Sequence, residues 1–218
     1  MKDAIPLLYK TRPFSEDGKR RAVAELLVNT IPDRDFYLLI IGAVLLALSG
    51  IFLDSIAVLI ASMIVAPLAY PILGLGLGIV AGDARLIMRT LLMLIMSLLV
   101  AMVGAALLTA LFGHVRVDPI FISFESNWYL ATAIAIIAGF IAAYGLVRSK
   151  VGGAMTGIGI AVSLMPPLVA TGIGLIDSSS FLPSTTFILF LLNVAGILLG
   201  SIVVFGVMGF HKIYKQSA

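Results

Sequence analysis

The sequence predicts an all-α integral membrane protein with six transmembrane helices. Three observations carry this: an apolar excess, six long charge-free runs, and cations gathered on one side of those runs. Of the 218 residues, 61% are apolar and 11% charged, with a mean hydropathy of +1.17. A water-soluble domain carries about 25% charged residues, so this chain lacks the polar groups to cover a surface facing water. Its solvent is the lipid bilayer. The composition also excludes disordered and collagen-like chains, and the absence of Cys excludes disulfides and thiolate metal sites. The net charge of +3 comes from clustered cations, not a spread stripe, which argues against nucleic acid as a partner. Residues 1–35 hold seven Lys/Arg and no apolar core ending in a small-residue cleavage site, so no removable signal peptide is expected.

The charge-free runs are Phe36 to Leu53, Ser55 to Gly82, Thr90 to Gly113, Ser126 to Val147, Val151 to Ile176 and Thr185 to Phe210. Each meets or nearly meets the ~20 residues that a helix needs to cross ~30 Å of hydrocarbon. The runs are continuous, not alternating, which excludes a β-barrel. Thirteen of the 14 Lys/Arg fall before span 1 or after spans 2, 4 and 6, and only Arg116 has the other parity. By the positive-inside rule both termini are cytoplasmic and the protein sits in the cell (inner) membrane. This divides the chain into a cytoplasmic segment 1–35, a transmembrane domain 36–210 and a cytoplasmic tail 211–218. Phe52, Phe112, Trp128 and Tyr129 would form an outer aromatic belt, with Phe36 and Tyr37 at the inner one. A rival topology makes spans 2 and 5 re-entrant, but it strands Arg85 and Arg89 outside.

Ahead of span 1, Val23, Leu26, Leu27 and Ile31 recur at helical spacing, with Lys19, Arg20, Arg21 and Glu25 largely off that face. Two readings stay open: an amphipathic helix lying on the inner leaflet, or a remnant of a larger cytosolic domain.

At an offset of 100 residues the chain matches itself. Ile60-Ala61 corresponds to Ile160-Ala161, Pro67-Leu68 to Pro167-Leu168, and Gly74-Leu75 to Gly174-Leu175. Spans 2 and 5 are thus counterparts. Because each half has three spans, the second begins on the opposite side, giving an inverted 3+3 repeat of the kind found in many secondary transporters. Both counterparts contain prolines, Pro67 and Pro71 in one and Pro166 and Pro167 in the other. Each proline removes a backbone donor, so broken helices 2 and 5 would leave carbonyls and amides for a ligand near the midplane. Ser62, Ser163, Thr171 and Asn193 are the short polar side chains expected to line that site. The alternative is that the prolines only kink packed helices.

Other features also have two readings. Gly74, Gly78 and Gly82, the pair Gly153 and Gly157, and the pair Gly196 and Gly200 have the four-residue spacing of close helix packing, within a subunit or in a homo-oligomer. Asp54 and Asp177 form either a cation-attracting vestibule or ordinary interfacial carboxylates, solvated or capping a helix. Arg89 either snorkels to the inner surface or pairs with Asp83. No catalytic signature is present, and His114 and His211 fall on opposite faces, so no enzyme, metal or cofactor is expected.

The run Ser55-Ile-Ala-Val-Leu-Ile-Ala-Ser-Met-Ile-Val-Ala-Pro-Leu-Ala-Tyr-Pro-Ile-Leu-Gly-Leu-Gly-Leu-Gly, continued to Gly82-Asp83, and Gly159-Ile-Ala-Val-Ser-Leu-Met-Pro-Pro-Leu further on resemble a prokaryotic family of hydrophobic-domain proteins, domain of unknown function three-eight-nine. The likeness covers about Asp33 to Phe210 and implies a multi-span membrane protein, without supplying a function. The expectation from the residues is a transporter or channel for a small solute or ion. A non-transporting scaffold or lipid- or partner-binding sensor is the alternative.

Overall fold

A computed structural model describes residues 16–113, 127–147, 164–176 and 183–217, with the side chains of 215–217 left aside, and every element in it is a helix. Ser163, Asp177, His114, Arg116, Gly153, Gly157 and most of the Val151 half of span 5 lie outside the described residues.

The chain begins with α1, Glu16–Asn29, whose first turn carries Glu16 and Asp17, well placed for the helix dipole. The next helix, α2 (Arg34–Phe52), is capped by Asp33, whose Oδ1 accepts from Phe36 N at 2.8 Å. It ends in a tight turn: Asp54 N donates to Ile51 O and Ser55 N to Gly50 O, while Asp54 itself is left-handed, with φ 48°. This is the paired C-terminal bonding that usually employs glycine. Span 2 is two helices, α3 (Ile56–Val65) and α4 (Ala69–Ala81), bent by 47°. Gly82 ends α4 in the left-handed region and Asp83 caps α5, Ala84–Phe112. Beyond residue 126 come α6 (Trp128–Val147), α7 (Met165–Ile176), α8 (Pro183–Val207) and α9 (Phe210–Ser217).

Four of these helices, α2, α5, α6 and α8, are long and apolar enough to cross a membrane, and a fifth crossing results if α3 and α4 count as one. Their directions follow from side-chain contacts. Phe52 at the end of α2 meets Phe112 at the end of α5, ring centroids 6.1 Å apart. At the opposite end Thr30, just ahead of α2, accepts from Arg89 in α5. α2 and α5 are therefore parallel, with α3 and α4 the return between them. α6 and α8 are also parallel, since Gly196 faces Thr132 and Ala135 while Gly200 faces Ile136 and Phe140. This second pair runs the other way from the first. α8 finishes beside α1, where Lys19 Nζ donates to Met208 O at 2.6 Å, and Tyr214 of α9 bonds Asp83 at the start of α5. α1 and α9 thus share one end of the bundle, here called the terminal end.

The two short helices α4 and α7 occupy the centre. Every residue from Pro71 to Gly78 is buried, as an all-round apolar helix requires, and α4 touches α1, α5, α8 and α9. α7 is enclosed by α2, α3, α5 and α8. By contrast α5 buries one narrow stripe, with Thr90, Met93, Ser97, Ala101, Ala105 and Thr109 inward, and leaves Leu92, Met96, Leu99, Val103 and Leu107 exposed, an apolar outer face suited to lipid.

The N-terminal helix departs from the leaflet-lying reading. Ala22, Val23 and Leu26 are buried against α4, α6 and α9, so the apolar stripe faces protein; Ile31 alone of the stripe is exposed.

Candidate functional site

The break between α3 and α4 is set locally by Pro67. The ring excludes the helical region for the residue before it, and Ala66 is accordingly extended, with ψ 118°. An amide at 67 would have bonded Met63 O. Without it, and with α3 ending at Val65, the carbonyls of Met63, Ile64 and Val65 lie beyond the last helical amide, that of Ala66 donating to Ser62 O at 3.1 Å. Ala66 and Leu68 are both buried, so this discontinuity is inside the bundle.

The other prolines differ from the sequence expectation. Pro71 is the third residue of α4, and Pro166 and Pro167 are the second and third residues of α7. First-turn residues have no intrahelical acceptor for their amides, so proline there costs no helical bond. Pro67 and Pro167, matched by the repeat, consequently occupy different places: one lies in a break, the other inside a helix start. Both are partly buried, and Pro71 and Pro166 are fully so.

Ser62, Thr171 and Asn193 are buried, and the hydroxyls of Ser62 and Thr171 each donate within their own helix. Ser62 Oγ donates to Leu59 O at 2.6 Å and is wholly buried on α3. Thr171 Oγ1 donates to Pro167 O at 2.7 Å and lies 2.9 Å from Thr186 Oγ1, a buried pair joining α7 to α8. Thr186 was not singled out by the sequence reading, and only its α8 register could have suggested it. Asn193 is buried further along α8. α3 and α7 touch, as do α7 and α8, so Ser62 and Asn193 lie on helices that each touch α7, the helix of Thr171. Ser163 and Asp177 are outside the described residues. Among those described, no group of three or more His, Asp or Glu residues is placed to hold a metal ion.

Asp54 is exposed at the far end of the bundle, and its place is explained by the turn it makes. An L-residue in the left-handed region costs about 1–2 kcal/mol, which Asp tolerates better than most and Gly avoids. Asp54→Gly should therefore raise stability by about 1 kcal/mol and Asp54→Val lower it by about 1–2 kcal/mol, read as opposite shifts in thermal melts in detergent.

Among the described residues, Gly74, Gly78, Gly196 and Gly200 meet other helices of the chain. A Cβ on Gly78 would lie 3.0 Å from Ile87 Cγ1, and one on Gly172 would lie 2.6 Å from Met102 O of α5. The tightest crossing is α6 on α8, where Gly139 abuts Ile197 and Gly200 abuts Ile136. Gly82 serves differently, as the left-handed cap of α4.

A second group of polar residues gathers at the terminal end. Asp83 caps α5 by accepting from Arg85 N at 2.8 Å and Leu86 N at 3.0 Å, and its Oδ2 accepts from Tyr214 Oη at 2.8 Å. The Leu86 amide first, then the Tyr214 hydroxyl, hold the Asp83 carboxyl below its ordinary value. Burial, followed by Asp83, pushes Tyr214 up to about 12. Arg89 does not pair with Asp83. Its Nη2 donates instead to Leu27 O at 3.1 Å and Thr30 Oγ1 at 2.7 Å, capping the carbonyl end of α1. The signs give a pH window for the docking of α9. The Asp83 contribution is complete above its unfolded value of 3.8 and lost as pH falls through the lower folded one. The Tyr214 contribution is complete below 10.0 and lost as pH rises through about 12. Proteolysis at the tail should be slowest between these limits, and Tyr214→Phe should abolish the alkaline limb.

Among the described residues, apolar grooves indent the outer surface at two places. One, of about 380 Å³, lies between α2 and α5 at Leu45, Leu48, Phe52, Leu108 and Phe112. The other, of about 330 Å³, lies between α5 and α7 at Leu99, Met102, Val103, Leu175 and Ile176. Neither adjoins Ser62 or Asn193.

No solved structure matches this chain. An uncharacterized protein of Methanocaldococcus jannaschii is 31% identical over 214 residues, an alignment taking in 90% of this chain and 64% of the relative. The chain thus spans less than two thirds of that relative's length. The model of the family described as Domain of unknown function (DUF389) matches residues 63–199, from the end of α3 through the break and into α8. With more than half of its length matched, the chain belongs to the DUF389 family.

Proposed function

We propose that the chain is a transporter or channel for a small solute or ion. In this reading it is built as six crossings in an inverted 3+3 repeat, with its path beside the broken span near the membrane midplane. The observation that carries this is the buried discontinuity at Ala66–Leu68. In lipid, irregular backbone persists only where protein buries it or a polar cavity wets it, and paired short helices ending at membrane depth are the construction by which transporters present backbone groups to a substrate.

The topology has its own support. At 1.5 Å per residue α3 rises about 15 Å and α4 about 20 Å; after a 47° turn α4 still advances about 13 Å along α3, so with the intervening residues the pair approaches the ~30 Å of hydrocarbon. That favours a crossing over a re-entrant loop. The parallel pair α2 and α5, and the oppositely directed parallel pair α6 and α8, are what two inverted halves would give. Contacts exchange between the halves in the same way, α4 with α8 and α7 with α5. The terminal end faces the cytoplasm in this reading. Reporter fusions after Phe112 and after Val147 should give opposite localisations, and agreement between them would exclude six crossings.

Transport is tested with the purified chain in liposomes, using alkali cations, halides and small polyols as solutes. The proposal requires permeability above that of protein-free liposomes for at least one class, and a cation path predicts that Asp54→Asn reduces it. Permeability equal to that of bare liposomes throughout favours the scaffold reading, for which the close local bonding of Ser62 and Thr171 is the supporting observation.

A further inference from the structure

α1 is tied to the broken span just past the break. Tyr70 lies in the first turn of α4, and its hydroxyl donates to Glu25 Oε1 of α1 at 3.1 Å. One turn on, Gly74 makes room for the end of α1: a Cβ there would lie 2.6 Å from Thr30 Cγ2 and 2.8 Å from Thr90 Cγ2. Thr30 is wholly buried, and Arg89 of α5 holds it and Leu27 O, a cation where the helix dipole favours one. At its other end α1 is held by Lys19 on Met208 O, at the turn between α8 and α9. One short helix thus bridges α4, α5 and the α8–α9 turn.

These ties are hydrogen bonds between polar groups, each of modest net worth once exchanged for water, set beside the buried Ala22, Val23 and Leu26. The α6–α8 crossing is of another kind, backbone against backbone at Gly139 and Gly200, with nothing to exchange. α4 lies among α1, α5, α8 and α9, with α8 anchored by such a crossing and α1 tied to α4 by the Tyr70–Glu25 hydrogen bond. Its N-terminal end is joined to α3 only through Ala66, Pro67 and Leu68, a non-helical link able to serve as a hinge.

We propose that α1 is a strap: its Glu25–Tyr70 and Thr30–Arg89 bonds hold α4 in place and close the path at the terminal end, and their release lets α4 move about the 66–68 hinge. Only the consequence, an opened path, rests on the transport reading. The strap itself is read without any substrate.

The test is amide hydrogen exchange on the full chain in lipid nanodiscs, comparing the wild type with Tyr70→Phe and Arg89→Gln. Tyr70→Phe removes a single hydroxyl and is the milder change should Arg89→Gln fold poorly. We expect peptides covering residues 66–76 to exchange about tenfold faster in both variants, with those of the α6–α8 crossing unchanged. In liposomes the same variants should raise solute flux by about fivefold, a gain that a merely damaged fold would not give. Wild-type exchange at 66–76 alongside faster exchange in α1 would overturn the strap, as would equal acceleration in every helix. Faster exchange at 66–76 with no flux in any variant would uphold the strap and overturn the transport reading instead.

Discussion

Gly139→Ala and Gly200→Ala should each destabilise the protein by about 2–3 kcal/mol, lowering its melting temperature by roughly 5–10 °C in a chain of this size. At Gly200 the added methyl would meet Phe140 N at 2.7 Å and Gly139 C at 3.1 Å, and at Gly139 it would meet Ile197 Cα at 2.6 Å. All of these are backbone atoms, which cannot step aside as a flexible side chain can, so α6 and α8 must separate along their whole contact. Without a hydrophobic drive between helices in lipid, that close packing is what holds them together. The internal control is Gly42→Ala in α2, where no atom lies within 4 Å of the new methyl. There the better helix propensity of Ala should stabilise by about 0.5–1 kcal/mol. Thermal melts of the three variants in one detergent decide it. Equal, small effects at all three positions would mean that α6 and α8 do not cross as described.

Pro67→Ala should abolish flux while leaving the melting temperature equal or higher. Proline within a helix costs about 3 kcal/mol relative to Ala, and a replaced residue 67 regains an amide able to reach Met63 O, lengthening α3 across the break. The direction of α4 is held separately, by its packing among α1, α5, α8 and α9 with the α1 bonds in place, so the bend should survive while Met63 O regains a helical partner. Pro167→Ala is the contrast. In the first turn of α7 it restores no helical bond, so it should change stability by less than about 1 kcal/mol, mostly through the unfolded chain. A fall in melting temperature for Pro67→Ala with flux intact would make the break a packed kink.

The spans were legible because length and apolar continuity are one-dimensional properties. The limits of α2, α5, α6 and α8 lie within a few residues of the charge-free runs, apart from the first turns of α5, which reach back through Arg89 and Arg85 to the Asp83 cap. The break at Pro67 was legible because a proline acts on its immediate neighbours. The docking of α1 was not, since a stripe of Val23 and Leu26 suits lipid and protein alike, and only the position of α4 decides between them. The partner of Arg89 was hidden for a like reason. Asp83 is near in sequence, but its oxygens are taken by the α5 amides and Tyr214, whereas Leu27 O and Thr30 come from a helix whose place sequence does not give. The prolines of α7 fall in its first turn, and the part of span 5 that precedes them lies outside the described residues. Met165-Pro166-Pro167 reads equally well as a helix start, where proline is at home. The glycines announced close packing, but not which helix would approach.

The proposed solute path at the break is tested most directly by the reactivity of Ser62→Cys, which is easily made in a chain without Cys. Ser62 is wholly buried, one turn before Ala66, so a membrane-impermeant thiol reagent reaches it only if water enters the bundle at that depth. We expect Ser62→Cys to be modified in intact membrane vesicles, more slowly than the exposed control Asp54→Cys but to completion, and Thr171→Cys in the other half to behave likewise. A Ser62→Cys that stays unmodified in the membrane, yet reacts fully once the protein is denatured, would contradict a solute path at the broken span.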